Sequence, residues 1–183
     1  MSNQNDRSIK NSIPKLKIID ISLRMCVIPL SIASLCVTIT NNEDNIDYGS
    51  IHFSNFMALK YMVSIGAIAA VYALVVAISN WMTFFLHKPW LFFISDQVMA
   101  YMMVTSGAAG AEMLYLAYKG DQEVSWSEAC TTYPMFCTKL KLALFLHFIA
   151  VFGFLILALI SAFRAFSIFD PPLLNDIDDD LNT

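Results

Sequence analysis

Between Ile18 and Thr40 the chain runs with almost unbroken apolar character, and three similar runs follow, at about Phe56–Ser79, Trp90–Tyr118 and Leu140–Phe163. A helix rises 1.5 Å per residue, so about 20 residues cross a hydrocarbon core of about 30 Å. Backbone amides in hydrocarbon must be satisfied within their own segment, which makes each run a helix. Composition agrees: 57% of the 183 residues are hydrophobic and 14% charged, where soluble chains carry roughly a quarter charged residues. The expected fold class is an all-α membrane protein, a four-transmembrane-helix bundle with both termini cytoplasmic.

The runs divide the chain into a basic cytoplasmic arm (1–17, with Arg7, Lys10, Lys15 and Lys17), a transmembrane domain (18–164) and an acidic cytoplasmic tail (165–183). Its four spans are about 18–40, 56–79, 90–118 and 140–163. The arm and first run also suit a signal peptide, but the run exceeds a typical h-region and no clear small-x-small cleavage site follows it. An even number of crossings puts the ends on one side with Arg7, Lys10, Lys15, Lys17, Lys88 and Arg164, against Lys60, Lys119, Lys139 and Lys141 opposite. The first outer loop, Asn41–Asn55, holds no Lys or Arg, which orients the basic arm to the cytoplasm. Residues 80–89, with His87 and Lys88, read as a tight turn, and Lys119–Thr138 as a second outer loop. No strand-like alternation is visible beside the runs. Net charge is −4, with acids gathered in loops and tail; no nucleic-acid partner is expected.

Two charges stand where a bilayer makes them expensive. Arg24 lies about six residues into the first span and Asp96 about six into the third, both roughly 9 Å from the same face. Each alone costs about 2.5 to 3.5 kcal/mol on the insertion scale, so opposite charges at one depth are expected to face each other inside the bundle. The bland reading is an Arg24 that snorkels to headgroups and an Asp96 capped by Ser95 or water. Glu112 is turned by about 160° from Asp96 and stands about 24 Å further along the helix. It belongs near the outer boundary, hydrated or in contact with Lys60. His147 sits alone among Leu and Phe on the fourth span and reads as a hydrogen-bonded packing residue; no metal spacing surrounds it. Small residues, Ser106 to Ala111 on the third span and Gly66 with Ala70 on the second, allow close helix approach, within the bundle or across a dimer face.

Cys26 and Cys36 in the first span read as core thiols. Cys130 and Cys137 fall in the second outer loop, on an oxidising side, and are expected to form a disulfide worth on the order of 2.5 kcal/mol in the chain-entropy picture. Trp126, Tyr133 and Phe136 are expected to give that loop an aromatic surface. The sequence holds no Gly-rich phosphate loop, Ser/His/Asp array or metal spacing, and no carboxylates paired at catalytic range. Neither an enzyme nor a cofactor is expected.

Four spans, a basic arm, Arg24, Asp96 and the outer run Val124-Ser125-Trp126-Ser127-Glu128-Ala129-Cys130 through Phe136-Cys137 together resemble the CASP-like proteins, plant relatives of the Casparian strip membrane domain proteins. Tyr115-Leu116-Ala117-Tyr118-Lys119-Gly120 adds to the likeness, which covers about residues 16–166. Tyr48-Gly49-Ser50 and Ala58-Leu59-Lys60-Tyr61 resemble group two of that family, and the first outer loop lacks the longer signature of its Casparian strip members. The resemblance implies a MARVEL-related plasma-membrane protein that forms homo- and hetero-oligomers with related tetraspans. It also implies a scaffold role toward extracellular wall-modifying enzymes. Arg24 with Asp96 and Cys130 with Cys137 would be the carried-over pairs. The competing reading is a transporter or channel subunit in which Arg24, Asp96, His147 and Glu112 line a polar route.

Overall fold

In the computed structural model, which describes residues 2–46, 49–81, 89–120 and 128–167, four long helices carry the chain. They are α1 (Ser2–Ile39), α2 (Met57–Trp81), α3 (Pro89–Lys119) and α5 (Pro134–Ser167). A one-turn helix, α4 (Ala129–Thr132), precedes α5, and strands β1 (Asn42–Asn45) and β2 (Gly49–His52) with a 3-10 turn at Phe53–Asn55 join α1 to α2. The long helices close a ring in which α1 packs on α2 and α5, and α3 packs on the same two. Ile18–Ile39, Met57–Ser79 and Pro134–Phe166 are long and apolar enough to cross a membrane. This is a helical membrane protein. α3, at 31 residues, is also long enough, but Asp96, Gln97, Thr105, Ser106 and Glu112 lower its apolar content.

Several boundaries differ from the sequence expectation. The backbone of the basic segment 2–17 continues α1 as helix rather than forming a separate arm. α5 begins at Pro134, inside the expected second loop, because proline at a first helical position gives up an N–H that has no partner there anyway. Its other end runs past Arg164 to Ser167. α3 stops at Gly120, whose φ of 64° suits a glycine beyond a helix end and whose N–H reaches the Leu116 carbonyl at 2.8 Å. The expected loop Asn41–Asn55 contains an antiparallel hairpin pairing Asn42 with His52 and Asn45 with Gly49. The turn holding His87 and Lys88, the outer segment with Trp126 and the tail beyond 167 lie outside the described residues.

α1 turns the usual amphipathic pattern inside out. From residue 18 to residue 39 its buried positions are Asp20, Arg24, Val27, Ser31, Ser34 and Thr38, spaced four and three residues apart so that they share one stripe. Ile18, Ile19, Met25, Ile32 and Ile39 face outward. Cys26 and Cys36, expected in the core, are exposed with them. The physical reason is that hydrocarbon solvates thiols and isoleucines well, whereas hydroxyls and charges must find partners inside. Thus Ser34 Oγ donates to the Ala143 carbonyl of α5 at 2.8 Å, and Thr38 Oγ1 to its own helix at Ser34.

Glycines set the closest approaches between helices. A Cβ on Gly110 would meet Met62 of α2 and Leu144 of α5, one on Gly107 would meet the His147 ring, and one on Gly153 would run into Val27 of α1. Gly66, the other small residue singled out in the sequence, has open space beside it. Gly153→Val is expected to destabilise the protein by about 1–3 kcal/mol through overpacking. Adding Val27→Ala should recover most of that loss. Thermal unfolding in mild detergent reads both, and an unchanged midpoint in the single variant would remove this contact from the account.

Candidate functional site, a buried charge centre

At the end of the bundle where Asp20 and Arg164 approach each other, every long helix supplies one side chain or more to a single polar cluster. Arg24 of α1, 1% exposed, directs Nη2 at Asp96 of α3, 0% exposed, with distances of 2.9 Å to Oδ1 and 2.7 Å to Oδ2. Its Nε donates to Asp20 Oδ2 at 3.3 Å, one turn earlier on α1. Tyr72 of α2 donates its hydroxyl to Asp96 Oδ1 at 2.7 Å, and Ser161 of α5 donates to Asp96 Oδ2. Arg164 Nη1 stands 3.9 Å from Asp20 Oδ2, and the Arg24 guanidinium lies 5.9 Å from the centre of the Tyr72 ring. Two acids and two arginines balance to zero net charge.

The chemistry of this cluster is retention rather than reaction. Asp96 receives donors from three helices, so its carboxylate is held by charge-assisted hydrogen bonds in a medium that would otherwise expel it. Four members were not singled out from the sequence as part of such a site; of these, Arg164 was read only as a basic residue on the cytoplasmic side. Asp20 carries a readable signal, since an acid four residues before an arginine on an apolar helix shares its face. Tyr72 and Ser161 carry none, because either residue is ordinary on a membrane helix.

Deeper in the bundle, His147 is buried, with Nε2 3.1 Å from Ser106 Oγ and 3.2 Å from the Met103 carbonyl of α3. Gly107 leaves room for that ring. His147 and the charge cluster therefore occupy separate levels. Glu112 is exposed on α3, and no ion pair with Lys60 forms among the described residues. Among those residues no three His, Cys, Asp or Glu side chains gather as metal ligands do.

The opposite end is closed by a cap. Cys130 and Cys137 form a disulfide with Cα atoms 5.6 Å apart, tying α4 to the first turns of α5. Glu43 of β1 accepts the Phe136 N–H at 2.6 Å, placing a carboxylate over the α5 N-terminus, where helix dipole and free N–H groups favour an anion. Asn41 Nδ2 donates to the Phe136 carbonyl at 3.0 Å, and the Tyr133 hydroxyl to the Gly49 carbonyl at 3.0 Å. Tyr133 and Phe136, expected as an aromatic surface, are instead buried with Ile51, Leu59, Met113 and Leu140. The hairpin covers them, and that is the physical reason for the difference.

The fold and its two polar ends define a class: a helical membrane protein whose interior is closed by a charge cluster at one end and a disulfide-linked cap at the other. The Casparian strip membrane protein domain matches residues 14–153. The chain belongs to the CASP-like family, and its relatives place it in group two. It is 57% identical to CASP-like protein 2D1 of Populus trichocarpa over 87% of this chain and 94% of that protein. CASP-like protein 2D1 of Arabidopsis thaliana is 54% identical over 86% of this chain and 81% of its own length. The corresponding figures for CASP-like protein 2D1 of Oryza sativa subsp. indica are 39%, 85% and 78%. No solved structure matches the chain.

Two expectations follow from the geometry. Arg24→Leu leaves Asp20 and Asp96 without their shared cation and should cost about 3–5 kcal/mol, whereas Arg24→Leu with Asp96→Leu should be milder. Folded yield and detergent melting of the two variants check the order, and equal damage would contradict it. At the cap, replacing both Cys130 and Cys137 by Ser should cost about 2–4 kcal/mol. Limited proteolysis should then cut the hairpin or α4 first.

Proposed function

We propose that the protein is a four-span plasma-membrane scaffold with both termini cytoplasmic, one that self-associates and organises membrane subdomains or recruits wall-modifying proteins. The observation that carries this reading is the saturation of Asp96 by Arg24, Tyr72 and Ser161. A membrane acid that serves a solute or a proton must be free to change partners, and this one is held by three other helices. The interior thus supports the bundle, leaving its outer faces and its cap to meet other molecules. No enzymatic role is proposed.

Four crossings are supported by where α3 packs. Asp96 joins the charge cluster, while Met113 and Ala117 near its other end join the apolar cluster under the cap. α3 therefore traverses the same thickness as its neighbours. The disulfide supports this orientation, because thiols oxidise on the non-cytosolic side and the charge cluster lies at the opposite end of the bundle. Family membership supports the scaffold role and the plasma-membrane location as expectations from the resemblance.

Tagged protein at native expression should migrate as oligomers on blue-native gels and recover slowly after photobleaching in a patch of cell surface. Monomers alone with free lateral diffusion would sink the scaffold. Robust ion flux from purified protein in liposomes, abolished by Asp96→Asn, would instead favour a transport route.

A further inference from the structure

Mid-helix, α1, α2 and α5 turn lipophilic faces outward: α1 shows isoleucines and Met25, α2 shows Ile68, Val71, Leu74 and Val75, and α5 shows Phe145, Phe152, Leu155 and Leu159. Polar exposed residues on α2 and α5, such as Lys60, Ser64 and Lys141, fall near their first turns. α3 differs by carrying a polar stripe through its middle. Tyr101, Thr105, Ala108, Glu112 and Tyr115 are all exposed on it, with both tyrosines 63% exposed. Their spacing of four, three, four and three residues draws them into one narrow stripe, the pattern of a seam that packs against another helix. Tyr61 of α2 lies beside this stripe, its hydroxyl 3.0 Å from Thr105 Oγ1.

The stripe carries a charge, and its neighbour carries the opposite one. Gly110 of α3 lies against Met62 of α2. These helices run antiparallel, so Glu112, two residues after Gly110, and Lys60, two residues before Met62, stand at one level. Both are exposed, and they form no ion pair with each other. Glu112 stands seven residues, or about 10 Å, in from the end of α3 at Lys119. A carboxylate on an outward face near the membrane boundary is served by water or by an opposite charge.

We propose that the α2/α3 face is the site of self-association, and that a second copy seats there about a two-fold axis. Lys60 of each copy then reaches Glu112 of the other. A two-fold interface repeats each contact reciprocally, so one complementary pair per chain yields two salt bridges without any like-charge contact. Ala108 at the middle of the stripe lets the backbones approach, and Tyr101 and Tyr115 flank it with area and hydroxyls. The inference rests on the self-association reading above and adds to it the face, the axis and the charge rule that selects the partner.

Reciprocity makes a sharp test. Glu112→Lys gives a chain that repels itself, since a lysine then faces Lys60 of the other copy at each contact, and Lys60→Glu does the same with acids. Co-expressed, the two variants bring opposite charges together in the mixed dimer and like charges in neither of its contacts. In two-tag pulldowns from nanodiscs, mixed dimers should exceed either like pair by about tenfold, the ratio a difference of about 1.4 kcal/mol gives. Both changes sit on exposed positions, so each monomer should fold.

Cross-linking locates the face independently. With Cys26→Ala and Cys36→Ala as background, Ala108→Cys should form a linked dimer and Phe152→Cys on α5 should not. Equal like and mixed pairing, or linkage through Phe152→Cys alone, would overturn the face while self-association stands. Wild-type protein that is monomeric in nanodiscs would overturn both.

Discussion

Everything in the bundle is subordinate to one electrostatic requirement: Asp96 and Arg24, both buried among apolar helices of a membrane protein, must neutralise each other in a low-dielectric interior. An unpartnered charge there costs several kcal/mol, while the paired state is no more stable than a well-packed apolar one. The pair therefore specifies more than it stabilises. It fixes the rotation of α1 against α3 and their relative height, because a guanidinium contacting both carboxylate oxygens at 2.9 and 2.7 Å tolerates little sliding. Tyr72 and Ser161 extend the constraint to α2 and α5. A single carboxylate thus gathers all four long helices at one level.

Given that anchor, the polarity of each helix follows. α1 buries Asp20, Ser31, Ser34 and Thr38 along with Arg24 and leaves its isoleucines outside, as expected where the solvent is apolar, and the Ser34 and Thr38 hydroxyls reach helix carbonyls. α3 buries Asp96 and Ser106, and close contact at Gly107 and Gly110 lets α2 and α5 reach it. The same polar content that lowers its hydropathy supplies the contacts by which the other helices recognise it.

Apolar runs and isolated charges were the legible part of the sequence, because each is conspicuous against its surroundings. A long run names a membrane helix, and a lone Arg24 or Asp96 within one demands an explanation. Tyr72 and Ser161 stayed hidden since their role depends on which helix faces which, a property of tertiary packing. The exposure of Cys26 and Cys36 was readable from phase: Asp20, Arg24, Ser31, Ser34 and Thr38 already occupy the inward stripe, leaving the cysteines outside. The hairpin was not readable. Asn42-Glu43-Asp44-Asn45 shows no alternation, and its extended form is held by contacts with residues far along the chain, such as Glu43 with Phe136 and Asn45 with Thr132.

The cap works on the opposite principle from the charge centre. Where Arg24 and Asp96 use ionic attraction in a dry interior, the cap uses a covalent link, a carboxylate at a helix end and buried Tyr133 and Phe136 in a zone where water competes for ionic contacts. Each end is closed by the chemistry its surroundings favour, and α5 belongs to both, through Phe136 at the cap and Ser161 at the charge centre. A body pinned at both ends of one helix presents its flanks as fixed surfaces. Under the proposed scaffold role, fixed flanks are what let the proposed α2/α3 face select its partner by charge while the apolar faces meet lipid.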